Sequence, residues 1–120
     1  MQVHLLKSKV HRARVAASGL GYEGSLTIAS DLMDRVGFVP YERILFSNLA
    51  DGQRFETSGI PGESGSGAII RSGGTAHLGK VGDRATSMSF TAVAAARATG
   101  WQPRAIKLGE KNSVVNARGI

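Results

Sequence analysis

Cysteine is absent from the 120 residues. That excludes disulfides, thiolate nucleophiles and cysteine-based zinc sites, and it fits a reducing cytoplasm. Aromatic residues are scarce, at 6 %, and with Trp101 alone in the basic C-terminal stretch there is no interleaved array of base-stacking platforms. No stretch approaches the roughly 20 apolar residues of a membrane span. The opening, Met1-Gln2-Val3-His4-Leu5-Leu6-Lys7-Ser8-Lys9, lacks the apolar run of a signal peptide. The expectation is a cytoplasmic protein without a membrane partner. Histidine is also rare: His4, His11 and His77 are far apart and have no acidic neighbours at ligand spacing. No metal is therefore expected, and no Ser-His-Asp order can be defined.

What is present suits one globular domain over residues 1–120. Hydrophobic residues make up 42 % and charged residues 20 %, a folded balance rather than a disordered one. A core of this size is modest, so stability can lean on partner subunits. The net charge is +6, and it is unevenly spread. Lys7, Lys9, Arg12 and Arg14 against Glu23 leave residues 1–25 at +3. Residues 26–96 are nearly balanced, and residues 97–120 carry Arg97, Arg104, Lys107, Lys111 and Arg118 against Glu110. The excess sits at the two ends. Basic ends are commonly just solvated, and an inward-facing Lys9 or Arg14 would suit a small anionic substrate. A basic nucleic-acid-binding barrel is the competing class, supported by the tail charge alone.

Period-two alternation over Lys7–Val15 predicts a strand with Lys9 and His11 on one face, about 7 Å apart. Ser18–Gly21 reads as a turn and Ser25–Ile28 as a strand. Asp31–Val36 reads as a short helix with Ser30 as N-cap. Arg43–Asn48, the turn Ala50-Asp51-Gly52 and Gln53–Ile60 read as a hairpin. Pro61–Gly67 is a glycine-rich loop, followed by a strand over Ala68–Arg71 and a turn over Ser72–Gly74. Arg84–Phe90 reads as a strand, Ala92–Ala98 as a helix stopped by Gly100 and Pro103, and the tail adds one strand around Ala105–Leu108. Short strands with glycine-rich turns predict a mainly β fold, a small closed barrel with one or two short helices.

Two glycine motifs are set aside. Gly19-Leu20-Gly21-Tyr22-Glu23-Gly24 matches G-x-G-x-x-G, but β-prone Ser25-Leu26-Thr27-Ile28 follows where a dinucleotide site needs a helix. Gly62-Glu63-Ser64-Gly65-Ser66-Gly67 lacks the Gly-Lys-Ser/Thr ending of a phosphate loop and reads as a backbone turn.

The Gly24-Ser25 pair gains meaning from its surroundings. Lys9-Val10-His11-Arg12, Tyr22-Glu23-Gly24-Ser25, Arg54-Phe55-Glu56-Thr57, Ile60-Pro61-Gly62-Glu63 and Gly73 with Ala76-His77 together resemble the bacterial aspartate 1-decarboxylase family, in order and mutual spacing. The similarity covers roughly residues 5–104. It implies a double-psi β-barrel, a homotetramer with active sites between subunits, and a place in pantothenate biosynthesis. It also implies self-cleavage between Gly24 and Ser25. The Ser25 hydroxyl attacks the Gly24 carbonyl in an N→O acyl shift, the ester eliminates, and the dehydroalanine hydrolyses to a pyruvoyl group. Glycine before the nucleophile tolerates unusual dihedrals and close approach. By resemblance, Thr57 donates to the oxyanion on Gly24, Tyr22 belongs to the catalytic set, and Lys9, His11, Arg54, Gly73, Gly74 and Thr75 bind substrate. Arg54 can hold a carboxylate in a bidentate way. The implied cofactor is the pyruvoyl group from Ser25, an electron sink for decarboxylating a small amino acid bound through its amine.

The chain departs from the family pattern on the substrate side. Ser58 stands where the family has a tyrosine, Ser72 where it has an asparagine, Gly74-Thr75 where it has Ala-Ala, and Gly21 where it has a histidine. The tyrosine is thought to return a proton to the substrate carbon. Serine is a weaker acid and too short, and losing a general acid typically costs about 10²–10⁴-fold. Three readings stay open: an aspartate decarboxylase using Tyr22 or water as acid, a pyruvoyl decarboxylase for another amino acid, and a non-catalytic assembly or regulatory relative.

Overall fold

The computed structural model describes residues 1–15, 17–19, 25–67, 69–72 and 81–120. Among them are nine strands and one α-helix: β1 (Gln2–Arg14), β2 (Ala17–Gly19), β3 (Leu26–Ala29), α1 (Ser30–Val36), β4 (Arg43–Asn48), β5 (Arg54–Gly62), β6 (Ile69–Ser72), β7 (Arg84–Ala94), β8 (Arg104–Leu108) and β9 (Val114–Arg118). Two 3₁₀ turns, Ala95–Gly100 and Glu110–Asn112, separate the last three strands. The strands form a single curled sheet in the order β2-β6-β3-β5-β4-β7-β1-β8-β9. The architecture is the expected mainly β, barrel-like fold with short helical pieces. Among the described residues, no helix is long and apolar enough to cross a membrane.

Alternation explains how the sheet closes over its core. Ile44, Phe46 and Asn48 of β4 are buried, and so are Ala85 and Ser87 of β7 and Val10 of β1. The intervening residues point to the opposite face, as period two requires; there Leu45 and Ser47 are half-buried and Thr86 is buried. Phe46 stacks on Phe55, with ring centroids 4.9 Å apart. The concave side is filled by Leu26, Ile28, Leu32, Met33, Val36, Phe38, Ile69, Ile106 and Leu108. α1 contributes Leu32, Met33 and Val36, which fall on one face at helical spacing.

β1 carries two irregularities that matter for function. Leu6 pairs with Phe90 and Ser8 with Ser89, so Lys7 is an inserted residue. The bulge turns Lys7 toward the C-terminal end of α1, where its ammonium donates to the Gly37 carbonyl and pairs with Glu42 at 3.2 Å. Ser8 Oγ donates to the Val36 carbonyl beside it. A cation and a hydroxyl thus cap the last helical carbonyls. The second shift, between Val10 and Ala13, coincides with Arg12 at φ 63°.

Several sequence expectations need correction. Ala92–Ala94 belongs to β7, and only a 3₁₀ turn follows, because Ala92, Val93 and Ala94 pair with His4, Val3 and Gln2 of β1. Long-range pairing overrides alanine's helix propensity here. Ser30 is the first helical residue; Ala29 takes the N-cap position without a side-chain cap. Ser18 and Gly19 lie in β2, paired with β6, rather than in a turn. Pro61 and Gly62 extend β5 beside β3 rather than opening the loop. The tail forms two strands, β8 and β9, where one was expected.

Candidate active site

Ser25 enters the fold at the head of β3 and is only 9 % exposed. Leu26 pairs with Gly59 of β5 on one side and with Arg71 of β6 on the other. One residue back along both ladders, Ser25 is level with Ser58 and Ser72. The two family departures therefore flank the candidate nucleophile. Thr57 precedes Ser58, and both are half-buried.

β5 lies flat here because Gly59 has no side chain: a Cβ would sit 2.5 Å from Ile44 Cδ1. Its backbone is bonded from the other flank, with Tyr41 N–H donating to Gly59 O and Gly59 N–H donating to Glu42 O. The result is a rigid strand carrying Thr57 and Ser58 beside the entry of β3. Tyr22, Gly24, Gly73, Gly74 and Thr75 lie outside the described residues, as do His77 and Gly21.

Lys9, His11 and Arg54 occupy a different part of the sheet. Arg54 pairs with Ser47, and Ser47 with Thr86. Thr86 Oγ1 lies 2.9 Å from His11 Nδ1. Directly opposed residues of antiparallel strands share a face, so Arg54, Ser47, Thr86 and His11 form one band across β5, β4, β7 and β1. Its middle members, Ser47 and Thr86, are short, and Thr86 is buried. Lys9 flanks the band opposite Met88.

The imidazole of His11 is held below its ordinary pKa of 6.5, first by burial and then by the positive charges of Lys9, Arg12 and Lys107. It is neutral at neutral pH, with its Nδ1 engaged by Thr86. Ser47 and Thr86 escaped the sequence reading. The available signal was parity, since Leu45 and Ser47 alternate with buried Ile44, Phe46 and Asn48.

Along the sheet the two groups lie well apart. Lys9 and Ser25 are separated by four strand steps, roughly 19 Å of sheet path. Arg54 is four residues from Ser58 along β5, roughly 13 Å. Lys9 and His11 also line a hollow of about 220 Å³ against β8 and β9. Ser25 and its neighbours fit a serine-derived carbonyl group: the residue is buried, directly precedes β3, and is level with Ser58 of β5.

Taken together, these features define a small, mainly β protein with a buried serine at a strand head and a separate cationic band. The family described as Aspartate decarboxylase matches residues 1–115. The chain belongs to that family. It is 37 % identical over 116 residues to aspartate 1-decarboxylase of Clostridium acetobutylicum, covering 97 % of this chain and 91 % of that protein. With aspartate 1-decarboxylase of Alcanivorax borkumensis the identity is 41 % over 114 residues, covering 95 % and 90 %. With that of Burkholderia vietnamiensis it is 40 % over 119 residues, covering 98 % and 93 %.

Proposed function

We propose that this chain is a pyruvoyl-dependent α-decarboxylase that converts L-aspartate to β-alanine and carbon dioxide. Family membership over residues 1–115 carries this reading, and the buried position of Ser25 supports it. In maturation, Ser25 Oγ attacks the Gly24 carbonyl carbon while the Thr57 hydroxyl donates to the developing oxyanion. The peptide C–N bond breaks and an ester remains between Gly24 and the Ser25 oxygen. Loss of the Ser25 α-proton expels the Gly24 carboxylate. Water then releases ammonia from residue 25, leaving a chain of residues 1–24 and one beginning at the new carbonyl. Removing one oxyanion donor typically costs about 10²–10³-fold, so Thr57→Val should slow cleavage on that order.

The pyruvoyl group supplies a carbonyl that binds the substrate amine and accepts the electrons left by carbon dioxide. The remaining roles belong to the chain's side chains. Arg54 holds a substrate carboxylate through its planar fork, and Lys9 adds a second positive charge. Neutral His11, beside Thr86, orients the band without competing for that carboxylate as a further cation. Ser58 cannot reach as the family's tyrosine does, so the proton on the product carbon comes from Tyr22 or water. Because Lys9 and Arg54 lie far from Ser25 along the sheet, a second copy brings them to it, in a homotetramer with sites between subunits.

A different amino acid is the second reading, favoured by the small residues Ser58 and Ser72 level with Ser25. Intact-mass measurement tests maturation: fragments split after Gly24 are expected, and a permanently full-length chain would sink it. Incubating cleaved protein with a panel of amino acids, with the amine products read by mass spectrometry, tests the substrate. β-Alanine as the dominant product supports aspartate. Another amine selects the second reading, and no amine at all rejects both.

A further inference from the structure

Lys111 and Asn112 sit side by side in the left-handed region, at φ 53° and 55°. Residues other than glycine stay in such conformations only where their surroundings over-determine them. Here the Asn112 side chain does so: it is buried and uses both of its amide hydrogens. Its Oδ1 accepts from Arg14 N–H at 2.7 Å. One Nδ2 hydrogen goes to the Arg14 carbonyl at 2.8 Å and the other to the Gly67 carbonyl at 2.7 Å. Gly67, at φ 66°, permits the close approach, since a Cβ there would lie 2.9 Å from the Lys111 carbonyl oxygen.

Arg14 ends β1, and Gly67 lies two residues before β6. Three residues beyond Arg14 is Ala17, three beyond Gly67 is Ile70, and Ala17 pairs with Ile70. The Asn112 amide therefore joins the two chains in the register that β2 and β6 keep. It bonds both the N–H and the C=O of Arg14, as a neighbouring strand would, and acts as an extra rung ahead of the ladder. Val15 is held as well: its N–H donates to the Asp83 carbonyl, and its carbonyl accepts from Gly82 N–H. At the other end of the ladder Gly19 pairs with Ser72, and Ser25 is level with Ser72 on the opposite flank of β6. Gly19 and Ser25 thus stand two strand spacings apart, roughly 10 Å, and residues 20–24 join them. A one-residue slip of β2 would move Gly19 by about 3.3 Å along β6.

We infer that Asn112 is a positioning residue for self-cleavage. It fixes β2 on β6, and thereby where the chain leaving Gly19 meets Ser25. The cleavage step rests on the pyruvoyl reading; the clamp itself rests on the bonds of Asn112 and the register of β2 and β6. Misplacing reacting groups by about 1 Å can cost ~10²-fold, so this register bears on the attack of Ser25 Oγ on the Gly24 carbonyl. Cleavage leaves Arg14 in the piece of residues 1–24 and Gly67 and Asn112 in the other, so the same three bonds then hold the two pieces together.

The test follows cleavage of freshly made precursor by intact mass in the wild type, Asn112→Ala, Asn112→Asp and Lys7→Ala. Lys7→Ala weakens the fold at the C-terminal end of α1 and should cleave at the wild-type rate. Asn112→Ala should cleave at least about tenfold more slowly. Asn112→Asp keeps the shape and carries the test should the alanine variant not fold. It should be slow at neutral pH, where its carboxylate faces two carbonyls. Relative to the wild type at each pH, it should recover as pH falls and the protonated acid donates to one of them, whereas Asn112→Ala should not. Amide exchange in the uncleaved Ser25→Ala background reads the clamp directly: adding Asn112→Asp should lower protection in β2 while the β1–β7 ladder keeps its own. Wild-type cleavage rates in both Asn112 variants, or an equal loss of protection across the sheet, overturns the inference. Failure of the pyruvoyl reading looks different: the wild type itself stays full length, while β2 still loses protection with Asn112→Asp.

Discussion

Asn112 is 7 % exposed and bonds three backbone groups: it accepts from Arg14 N–H and donates to the carbonyls of Arg14 and Gly67. It also sits at φ 55°, a conformation that asparagine tolerates better than most residues. Asn112→Ala should therefore cost about 2–3 kcal/mol, from unsatisfied Arg14 groups and backbone strain together. Urea unfolding would check this; a loss under 1 kcal/mol would contradict it. Among the described residues, two titrating groups contribute to the acid response. His11 is held below its ordinary 6.5, so the unfolded chain takes up that proton first. Stability should fall as pH drops from about 6.5 toward the lowered value, and His11→Gln should flatten that part of the curve. Glu42 acts lower. Burial raises its pKa, but the Val39 N–H and Lys7 outweigh it, leaving a value below the ordinary 4.5. Its contribution is present above that ordinary value and is lost as pH falls through the lowered one. Denaturant midpoints from about pH 3 to 7, compared with His11→Gln and Glu42→Gln, separate the two windows.

At the scale of elements, α1 depends on the bulge that turns Lys7 inward. Without the bulge, Lys7 would continue the alternation of β1 and miss the helix end. Lys7→Ala removes the Glu42 ion pair and the bond to the Gly37 carbonyl, and should cost about 1–3 kcal/mol. Arg43→Ala breaks a pair in which both side chains are more than half exposed and should change stability little. Thermal melts of the two variants side by side check the contrast. Strong local signals made β4, the turn at Ala50-Asp51-Gly52 and β5 legible from the sequence. β9 was not legible: Val114 and Val115 give only a brief apolar signal, and its partner is β8. The alanine run at Ala92–Ala98 misled for the same reason, since pairing with β1 decides its conformation.

At the scale of the whole molecule, the separation of Ser25 from Lys9 and Arg54 makes a sharp prediction. Ser25→Ala and Arg54→Ala should each be inactive alone. Coexpressed in one oligomer, they should recover up to about a quarter of wild-type activity, because random pairing joins an intact Ser25 to an intact Arg54 in that fraction of sites. Product formation on size-fractionated mixed oligomers checks this, and no recovery would mean that each site is built within one subunit.

The same scale separates what the residues alone determined from what folding decided. The family motifs and most strand positions follow from local order: short-range spacing carries the order of the motifs and the period of a strand. The neighbours of each residue do not. Ser58 and Ser72 came to flank Ser25 through the pairing of β3 with β5 and β6. The basic ends of the chain, distant in sequence, met when β1 took its place beside β8 and β9. Sheet pairing sets which charges face each other, because it fixes register across strands that no local pattern connects.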